Sequence, residues 1–459
     1  MSRLLQNSVR RTLFEMAVPM LAGTFALNAY NLTDAWFVSK LGLLPQTAIG
    51  FIFPVVMLFN CLAMGIGAGI TSFVSHTLGR GLHAKAAHSV THAVALVAGI
   101  AAVAAALGLI WIDAVFRKLG ADGQTLPLIH DFMRIWYLGS AFMYLSSMGN
   151  GILIAAGDSK AAGRFMMLGA MVNLALNPLL IFGLAGLPAM GIRGSAAATV
   201  LSQTATVAWM FYWLHKRHRL VGAGPGIFDG WTASVRSMLR LGVPSVLSML
   251  LMPISAAVVT QLLSGFGIEA VAAAGVASRL EMFAFIIPMA LGMTMMPFTS
   301  LNYGAGRLDR VREALGLSTR FALLYGGFIA AAFFVAAPFM ASLFSRDPKV
   351  VETLVAYIRI SSFGYGMMEV HRYCGFVLTG LHMPASAMTL NAVRVLAFLI
   401  PFVILGARWY GVRGLFFGRL SADLLAGSVG LYWAYRSCDK LGGLAKLPKA
   451  RVEPIVFLE

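Results

Sequence analysis

The stretch AVPMLAGTFALNAYNLTDAWFVSKLGLLPQTAIG at residues 17–50 is matched by GVPSVLSMLLMPISAAVVTQLLSGFGIEAVAAAG at residues 242–275. The offset between the two is 225, and it holds without a gap from residue 17 to residue 81. It places small residues on small residues, namely Gly42 on Gly267, Ala48 on Ala273, Gly50 on Gly275, Gly67 on Gly292, Gly79 on Gly304 and Gly81 on Gly306. A register this constant indicates an internal duplication.

The composition argues against a soluble protein. Of 459 residues, 59% are hydrophobic and 12% are charged, whereas soluble chains average about 25% charged residues. A soluble enzyme or nucleic-acid-binding domain is therefore not expected. The three cysteines, Cys61, Cys374 and Cys438, lack metal-ligand spacing, so we interpret them as packing residues.

Twelve runs are long and apolar enough to cross a bilayer, which takes about 20 residues. They lie near 14–38, 47–76, 88–116, 128–156, 163–184, 192–215, 238–264, 271–300, 314–343, 351–380, 384–407 and 412–436. The first run is too long and too polar in its second half for the core of a signal peptide, so we expect it to remain in the protein.

Basic residues are distributed unevenly among the predicted loops. The two termini and the even-numbered loops hold 20 Lys and Arg residues, against 8 in the odd-numbered loops. Because cytoplasmic loops carry the excess of basic residues, both termini are predicted to be cytoplasmic. The same distribution explains most of the formal charge of +17. We expect a multi-pass protein of the plasma membrane, here a bacterial inner membrane.

The duplication divides the chain into two lobes of six spans. We predict an amino-terminal lobe at 1–220, a cytoplasmic linker at 221–237, a carboxyl-terminal lobe at 238–440 and a cytoplasmic tail at 441–459. GIRG at 191–194 corresponds to GVRG at 411–414 at an offset of 220, which indicates that loops differ in length. An even number of spans makes the copies parallel, related by a pseudo-twofold axis along the membrane normal.

Several motifs, in this order along the chain, resemble the multidrug and toxic compound extrusion (MATE) family. They are NLTDAWFVSKLG (31–42), GDSK (157–160), NLALNPLLIFG (173–183), GIRGSAAATVLSQ (191–203) and LNYGAGRLDR (301–310). The resemblance covers roughly 10–440. It implies an all-helical, V-shaped pair of six-helix lobes that exports amphipathic, often cationic, compounds in exchange for protons or sodium ions. No cofactor or nucleic acid is implied, and we expect the monomer to function in the lipid bilayer.

Four acidic residues fall well inside predicted spans: Asp34, Glu281, Glu369 and Asp423. A carboxylate within the bilayer costs several kcal/mol unless it is paired, hydrated or protonated, so each is a candidate site residue. Asp34 continues a polar face that holds Thr24, Asn28 and Asn31. Its counterpart in the second copy is Val259, which favours a functional role over a scaffold role. The alternative is an interfacial aspartate near the end of the span.

The resemblance implies an ion-coupling site at Asp34, Asn173, Asn177 and Thr199. Amide oxygens can bind a hard cation such as Na⁺ or accept hydrogen bonds from an acid, so this group is also the candidate sodium site. Related proteins carry Asp at the place of Asn177, and the missing charge weakens the case for sodium. The alternative for Asn173 and Asn177 is hydrogen bonding between helices.

Glu369 is the candidate substrate-binding acid. Tyr365 and Tyr373 lie four residues to either side of it, and an acid between aromatic rings suits an organic cation. The alternative is an ion pair with Arg372 or the nearby His371. Three further candidates for substrate contact are Glu281, Asn31 and Asn150.

Glu281 and Asp423 also have structural alternatives. Glu281 can pair with Arg394 or Arg372 from another helix, and Asp423 can pair with Arg419 within its own helix. The arginine at position 394 corresponds to Asn173 in the first copy at an offset of 221, so the two lobes differ chemically.

These features favour an ion-coupled multidrug exporter that works by alternating access. No phosphate-binding loop, HExxH motif or nucleophile elbow occurs, which argues against ATP coupling and hydrolysis. A flippase for lipid-linked saccharides remains an alternative, because the carboxyl-terminal half holds the arginines at 279, 372, 394 and 419. A channel is disfavoured, since no repeated filter sequence or pore-lining ring is present.

Overall fold

The computed structural model describes residues 2–222 and 226–446, and every regular element in those ranges is helical. The helices are α1 (Ser2–Gln6), α2 (Val9–Ser39), α3 (Leu43–Gly79), α4 (His83–Ile110), α5 (Ile112–Lys118), α6 (Thr125–Ala155), α7 (Ser159–Phe182), α8 (Ile192–Lys216), α9 (Trp231–Ser264), α10 (Ile268–Ala284), α11 (Ile286–Gly304), α12 (Leu308–Phe344), α13 (Pro348–Ser361), α14 (Tyr365–Gly380), α15 (Pro384–Ala392) and α16 (Ile400–Lys446). A π-helical segment, Val393–Leu399, joins the last two.

Within the described ranges, eight helical runs are individually long and apolar enough to cross a membrane, and α10 with α11 forms a ninth span bent by 59°. One of the eight runs, Pro384–Gly442, contains a break at Tyr410 and Gly411 and so supplies two spans. Helix α8 and the α13–α14 pair complete the predicted set. The twelve-helix architecture is therefore confirmed.

Three predicted spans are interrupted in the structure, and the one at 351–380 passes through a 3₁₀ turn at Ser362–Gly364 between α13 and α14. The span predicted at 88–116 ends earlier, at Ile110, because the chain turns at Trp111 before the short helix α5. The span predicted at 271–300 is broken at Phe285. Pro288 causes this break, since proline has no N–H for the carbonyl of residue 284 and clashes with it. The Tyr325 hydroxyl donates to that Ala284 carbonyl instead, at 2.7 Å.

Equivalent glycines in the two copies have the same unusual backbone conformation. Gly42 and Gly267 precede α3 and α10 with φ of 102° and 105°. Gly81 and Gly306 follow α3 and α11 with φ of 77° and 72°. Residues with a Cβ rarely adopt this region, which explains why glycine occupies these places in both copies.

A second glycine pair brings helix backbones close together. A Cβ on Gly194 would lie 2.5 Å from the carbonyl oxygen of Leu180, so α8 packs against α7 without side chains between them. A Cβ on Gly414 would likewise meet the carbonyl oxygen of Gly406. The motifs GIRG and GVRG thus mark the same kind of helical hairpin.

The described chain forms two compact units. Unit 1 contains residues 2–4 and 15–246, and unit 2 contains residues 5–14 and 247–446. Buried aromatic and aliphatic residues of α3, α5, α6 and α8 form a core in unit 1. A core in unit 2 lies between α10, α12, α13 and α16.

Unit 1 extends beyond the predicted lobe boundary at 220. The predicted linker contacts α4, where Nε2 of His92 lies 2.7 Å from the carbonyl oxygen of Ile227, and the first turns of α9 pack closely against α3, where a Cβ on Gly69 would meet the backbone of Gly242. The imidazole also packs against the rings of Phe228 and Trp231, at centroid distances of 6.1 and 5.4 Å. Residues 223–225 of the linker and residues 447–459 of the predicted tail lie outside the described ranges.

Candidate functional site

Three helices bring the predicted ion-site residues to one end of unit 1. Asp34 lies five residues before the end of α2, and Asn177 lies five residues before the end of α7. The connection at 183–191 reverses the chain, so that Ser195 follows three residues after the start of α8. An antiparallel helix pair joined by a short connection places such residues at the same level.

The carboxylate of Asp34 accepts two hydrogen bonds on one oxygen. Nδ2 of Asn177 donates to Oδ1 at 3.0 Å, and the Ser195 hydroxyl donates to the same atom at 3.1 Å. Nδ2 of Asn177 also donates to Oδ1 of Asn173 at 2.8 Å. An amide has two N–H donors, so both of those on Asn177 are engaged. In the described ranges, Oδ2 of Asp34 accepts no hydrogen bond and forms no ion pair.

Thr199 joins the group indirectly. Its hydroxyl lies 3.1 Å from the Tyr30 hydroxyl, one turn of α2 before Asp34. Tyr30 and Ser195 were not among the site residues predicted from the sequence. Helical spacing could have found both, because Tyr30 lies four residues before Asp34 and Ser195 lies four before Thr199.

Two other candidates of unit 1 lie apart from this hydrogen-bonded group. Asn31 is exposed, and no hydrogen bond joins it to Asp34. Nδ2 of Asn150 donates to Sδ of Met166 at 3.4 Å, and its Oδ1 is buried without a hydrogen-bond partner among the described residues.

In unit 2, Glu369 faces an arginine. The carboxylate is 2% exposed and lies 3.0 Å from Nη1 of Arg372, three residues further along α14. Tyr373 is fully buried and donates its hydroxyl to the Pro288 carbonyl at 2.9 Å. The Tyr365 ring is also buried, packed edge-on against Phe285 at 5.0 Å. The structure therefore brings Glu369 to the alternative partner, Arg372, rather than leaving its charge open.

His371 does not pair with Glu369. Its Nε2 lies 2.7 Å from Oδ1 of Asn391, and its Nδ1 lies 3.3 Å from the Ala426 carbonyl.

Glu281 and Asp423 belong to a second ionic group in unit 2. Glu281 accepts a hydrogen bond from the Tyr357 hydroxyl at 2.7 Å and pairs with Arg419 at 2.9 Å. Arg394 and Arg372, the predicted partners of Glu281, were therefore wrong. Asp423 pairs with Arg394 at 2.7 Å and lies 3.9 Å from Nε of Arg419, so its closer partner is on another helix.

The comparisons with known proteins agree with this architecture. The MatE family model matches residues 19–179 and 244–405, once in each copy of the repeat. The crystal structure of the Vibrio cholerae MATE transporter VcmN in the bent form is 27% identical and covers 95% of this chain and 98% of its own, with a TM-score of 0.90.

Two curated bacterial relatives carry functional names. A protein of Shewanella oneidensis named FAD transporter is 35% identical over 438 residues, covering 95% of this chain and 96% of its own. The multidrug export protein MepA of Staphylococcus aureus is 24% identical, covering 95% of this chain and 96% of its own. With a family model across both repeats and a relative this similar over its full length, the chain belongs to the MATE family of multi-pass membrane transporters and is not an enzyme.

Proposed function

We propose that this transporter exports a flavin dinucleotide of the FAD type in exchange for protons, with Asp34 as the proton site. Proton coupling is supported by the Asp34 carboxylate, which accepts hydrogen bonds only from neutral donors. An unpaired charge within a membrane span is costly, so a bound cation stabilises the site.

The donors around Asp34 favour a proton over sodium. Sodium prefers a shell of oxygen ligands, but Asn177 presents its amide nitrogen to the carboxylate. Asn173 offers an oxygen that already accepts a hydrogen bond from Asn177. A proton needs only the open Oδ2, which leaves the Asn177 and Ser195 hydrogen bonds on Oδ1 unchanged.

Coupling follows when the proton binds one conformation better than the other. A ligand shifts a conformational equilibrium only by its difference in affinity for the two states. With both termini in the cytoplasm, the Asp34 end of α2 faces the outside, where a proton enters. Protonation there would favour one access state, and the substrate would favour the other.

The substrate half rests on the similarity to the Shewanella protein, which exceeds that to MepA by eleven percentage points of identity. It also agrees with unit 2, in which Glu281, Glu369 and Asp423 each have an arginine partner. An exporter of organic cations is the second candidate, because relatives such as MepA are named for multidrug export.

The test uses proteoliposomes containing the purified full-length protein. A proton gradient and a sodium gradient are imposed separately, and the movement of FAD and of ethidium is followed by fluorescence. We expect FAD to move under the proton gradient alone. Movement of ethidium but not FAD would contradict FAD as the substrate and favour an organic cation. Movement under the sodium gradient alone would contradict the proton as the coupling ion and favour sodium. If neither compound moves under either gradient, the lipid-linked saccharide flippase becomes the better hypothesis.

A further inference from the structure

Unit 2 contains three ion pairs deep within its helices. They are Arg372 with Glu369, Arg394 with Asp423, and Arg419 with Glu281. Each arginine lies at least seven residues from the nearest end of its helical segment, which is about 10 Å along a helix. Ionised groups at such depth face the bundle interior or a water-filled space rather than lipid.

In every pair the guanidinium is more exposed than the carboxylate. The exposed fractions are 26% for Arg372 against 2% for Glu369, and 16% for Arg394 against 2% for Asp423. For Arg419 and Glu281 they are 18% and 14%. A ligand that reaches these pairs therefore meets N–H donors before it meets carboxylate oxygens.

Two of the three arginines lie against the same buried carboxylate, that of Asp423. Nε and Nη2 of Arg394 donate to Oδ1 of Asp423 at 3.1 and 2.7 Å. Nε of Arg419 lies 3.9 Å from Oδ2 of the same residue. Asp423 thus accepts hydrogen bonds from one guanidinium and lies within ion-pair distance of the other, so both arginines approach the same carboxylate.

Both guanidinium groups have N–H donors that their observed contacts do not use. A guanidinium has five N–H groups in a fixed plane, and Arg394 uses only Nε and Nη2 within the described ranges. Arg419 donates to Tyr357 through Nη1 and to Glu281 through Nη2. The remaining N–H groups can bind a second acceptor without breaking these contacts.

The backbone at Arg394 also favours a ligand over a purely structural network. Arg394 lies in the π-helical segment Val393–Leu399, and single π-helical turns inside α-helices are frequent at functional sites.

We propose that Arg394 and Arg419 bind the diphosphate group of the transported substrate, one phosphate to each guanidinium. This inference rests on the proposed function, because it assigns the recognition of the dinucleotide to this pair. Planar guanidinium groups bind phosphate through two parallel N–H···O bonds, which an ammonium group does not reproduce.

The experiment compares the wild type with Arg394→Lys and Arg419→Lys in detergent or nanodiscs. Lysine retains the charge that Glu281 and Asp423 need, so the ion pairs persist while the planar fork is lost. Arg312→Lys is the matched control, because Arg312 forms an exposed pair with Asp439 at the end of α16. Binding of FAD, of ADP, and of riboflavin, which has no phosphate, is measured by fluorescence or calorimetry.

We expect each lysine variant to bind FAD and ADP about tenfold more weakly, as for the loss of one charge-assisted hydrogen bond. Riboflavin binding and the control variant should be unchanged. Equal weakening for all three ligands together with a lower melting temperature would indicate a structural role and overturn the inference. Unchanged FAD and ADP binding would overturn it as well.

A measurement on the wild type tests the site even if the lysine variants do not fold. Inorganic pyrophosphate should raise the melting temperature and compete with FAD, and the absence of both effects would refute the site. Should the wild type transport FAD while the variants bind ADP normally, this inference fails and the proposed function stands. If the wild type binds ADP through these arginines but does not transport FAD, the diphosphate site stands and the proposed function fails.

Discussion

The side-chain amide of Asn177 links two polar residues of unit 1, with one N–H donated to Asp34 at 3.0 Å and the other to Asn173 at 2.8 Å. Rotating this amide by half a turn would place its oxygen against the carboxylate and lose both bonds. The neighbours of Asn177 therefore fix it as a donor, and the Asp34 site is built for one negative charge.

Replacing Asp34 by Asn should reduce proton-driven transport to background. The amide is nearly isosteric but cannot take up a proton, so the coupling reaction is lost while the fold is kept. The measurement is substrate movement in proteoliposomes under an imposed pH gradient, with protein amount checked by in-gel fluorescence. Asp131→Asn is the control, because Asp131 forms a partly exposed pair with Arg193. Wild-type transport in Asp34→Asn would contradict Asp34 as the proton site.

Replacing Asn177 by Asp should introduce dependence on sodium. Two carboxylates about 3 Å apart cannot both remain ionised unless a cation lies between them, and oxygen ligands suit sodium. Transport by the variant is measured under a sodium gradient at constant pH, with Asn177→Ser as the neutral comparison. If Asn177→Asp responds only to protons, as we expect of the wild type, the ligand argument is wrong.

Asp158 should contribute to stability above acidic pH. It caps α7 by accepting from the backbone N–H of Ala161 at 3.1 Å. The hydrogen bond from His218 lowers the pKa of Asp158 well below its ordinary value, and the bond from Trp213 acts in the same direction. Because the folded-state pKa is depressed, this contribution is present above the unfolded pKa of about 4 and is lost as the pH falls further.

The variant Asp158→Ala tests this contribution. Loss of an N-cap costs about 0.5–2 kcal/mol, so its melting temperature at pH 7 should fall. Asp158→Asn keeps a good capping residue and should fall less. Both differences from the wild type should shrink as the pH is lowered below 4, and a difference that grows on acidification would contradict the assignment.

Replacing Gly194 by Ala should disturb the Asp34 site indirectly, through its neighbour Ser195, which donates to Asp34. The new Cβ would lie 2.5 Å from the Leu180 carbonyl oxygen, where only backbone can move. Such overpacking costs about 1–3 kcal/mol, and it shifts Ser195, the next residue. Gly99→Ala is the matched control, because a Cβ there would meet no atom within 4 Å and α4 is helical at that residue. We expect a lower melting temperature and reduced transport for Gly194→Ala only, and equal behaviour of the two variants would refute the packing argument.

The repeat and the helical spans could be predicted because matched glycines and runs of apolar residues can be read directly from the sequence. Positive φ at Gly42 and Gly267 requires glycine in both copies, so the register survives in the sequence. The grouping of Asp34, Asn173 and Asn177 came from the family resemblance, and the structure brings these residues into hydrogen-bonding distance. Their roles in transport stay predictions.

The ion pairs of unit 2 show where sequence information was insufficient. Arg372 is three residues from Glu369, so spacing alone suggested that pair. Glu281 and Arg419 are 138 residues apart, and helix periodicity does not say which distant helix packs against α10. The break at Phe285 had a visible cause in Pro288, but a proline in a long apolar run does not reveal how far the helix will bend.

The single carboxylate at the Asp34 site has an energetic consequence for the proposed exchange. A diphosphate substrate leaves with one negative charge on each phosphate, while one proton enters. Each cycle then carries roughly three positive charges inward, and an interior-negative potential contributes about 7 kcal/mol per 100 mV to that movement. An exporter of this kind would be electrogenic, so the membrane voltage would supply most of the driving force and the pH difference a smaller share.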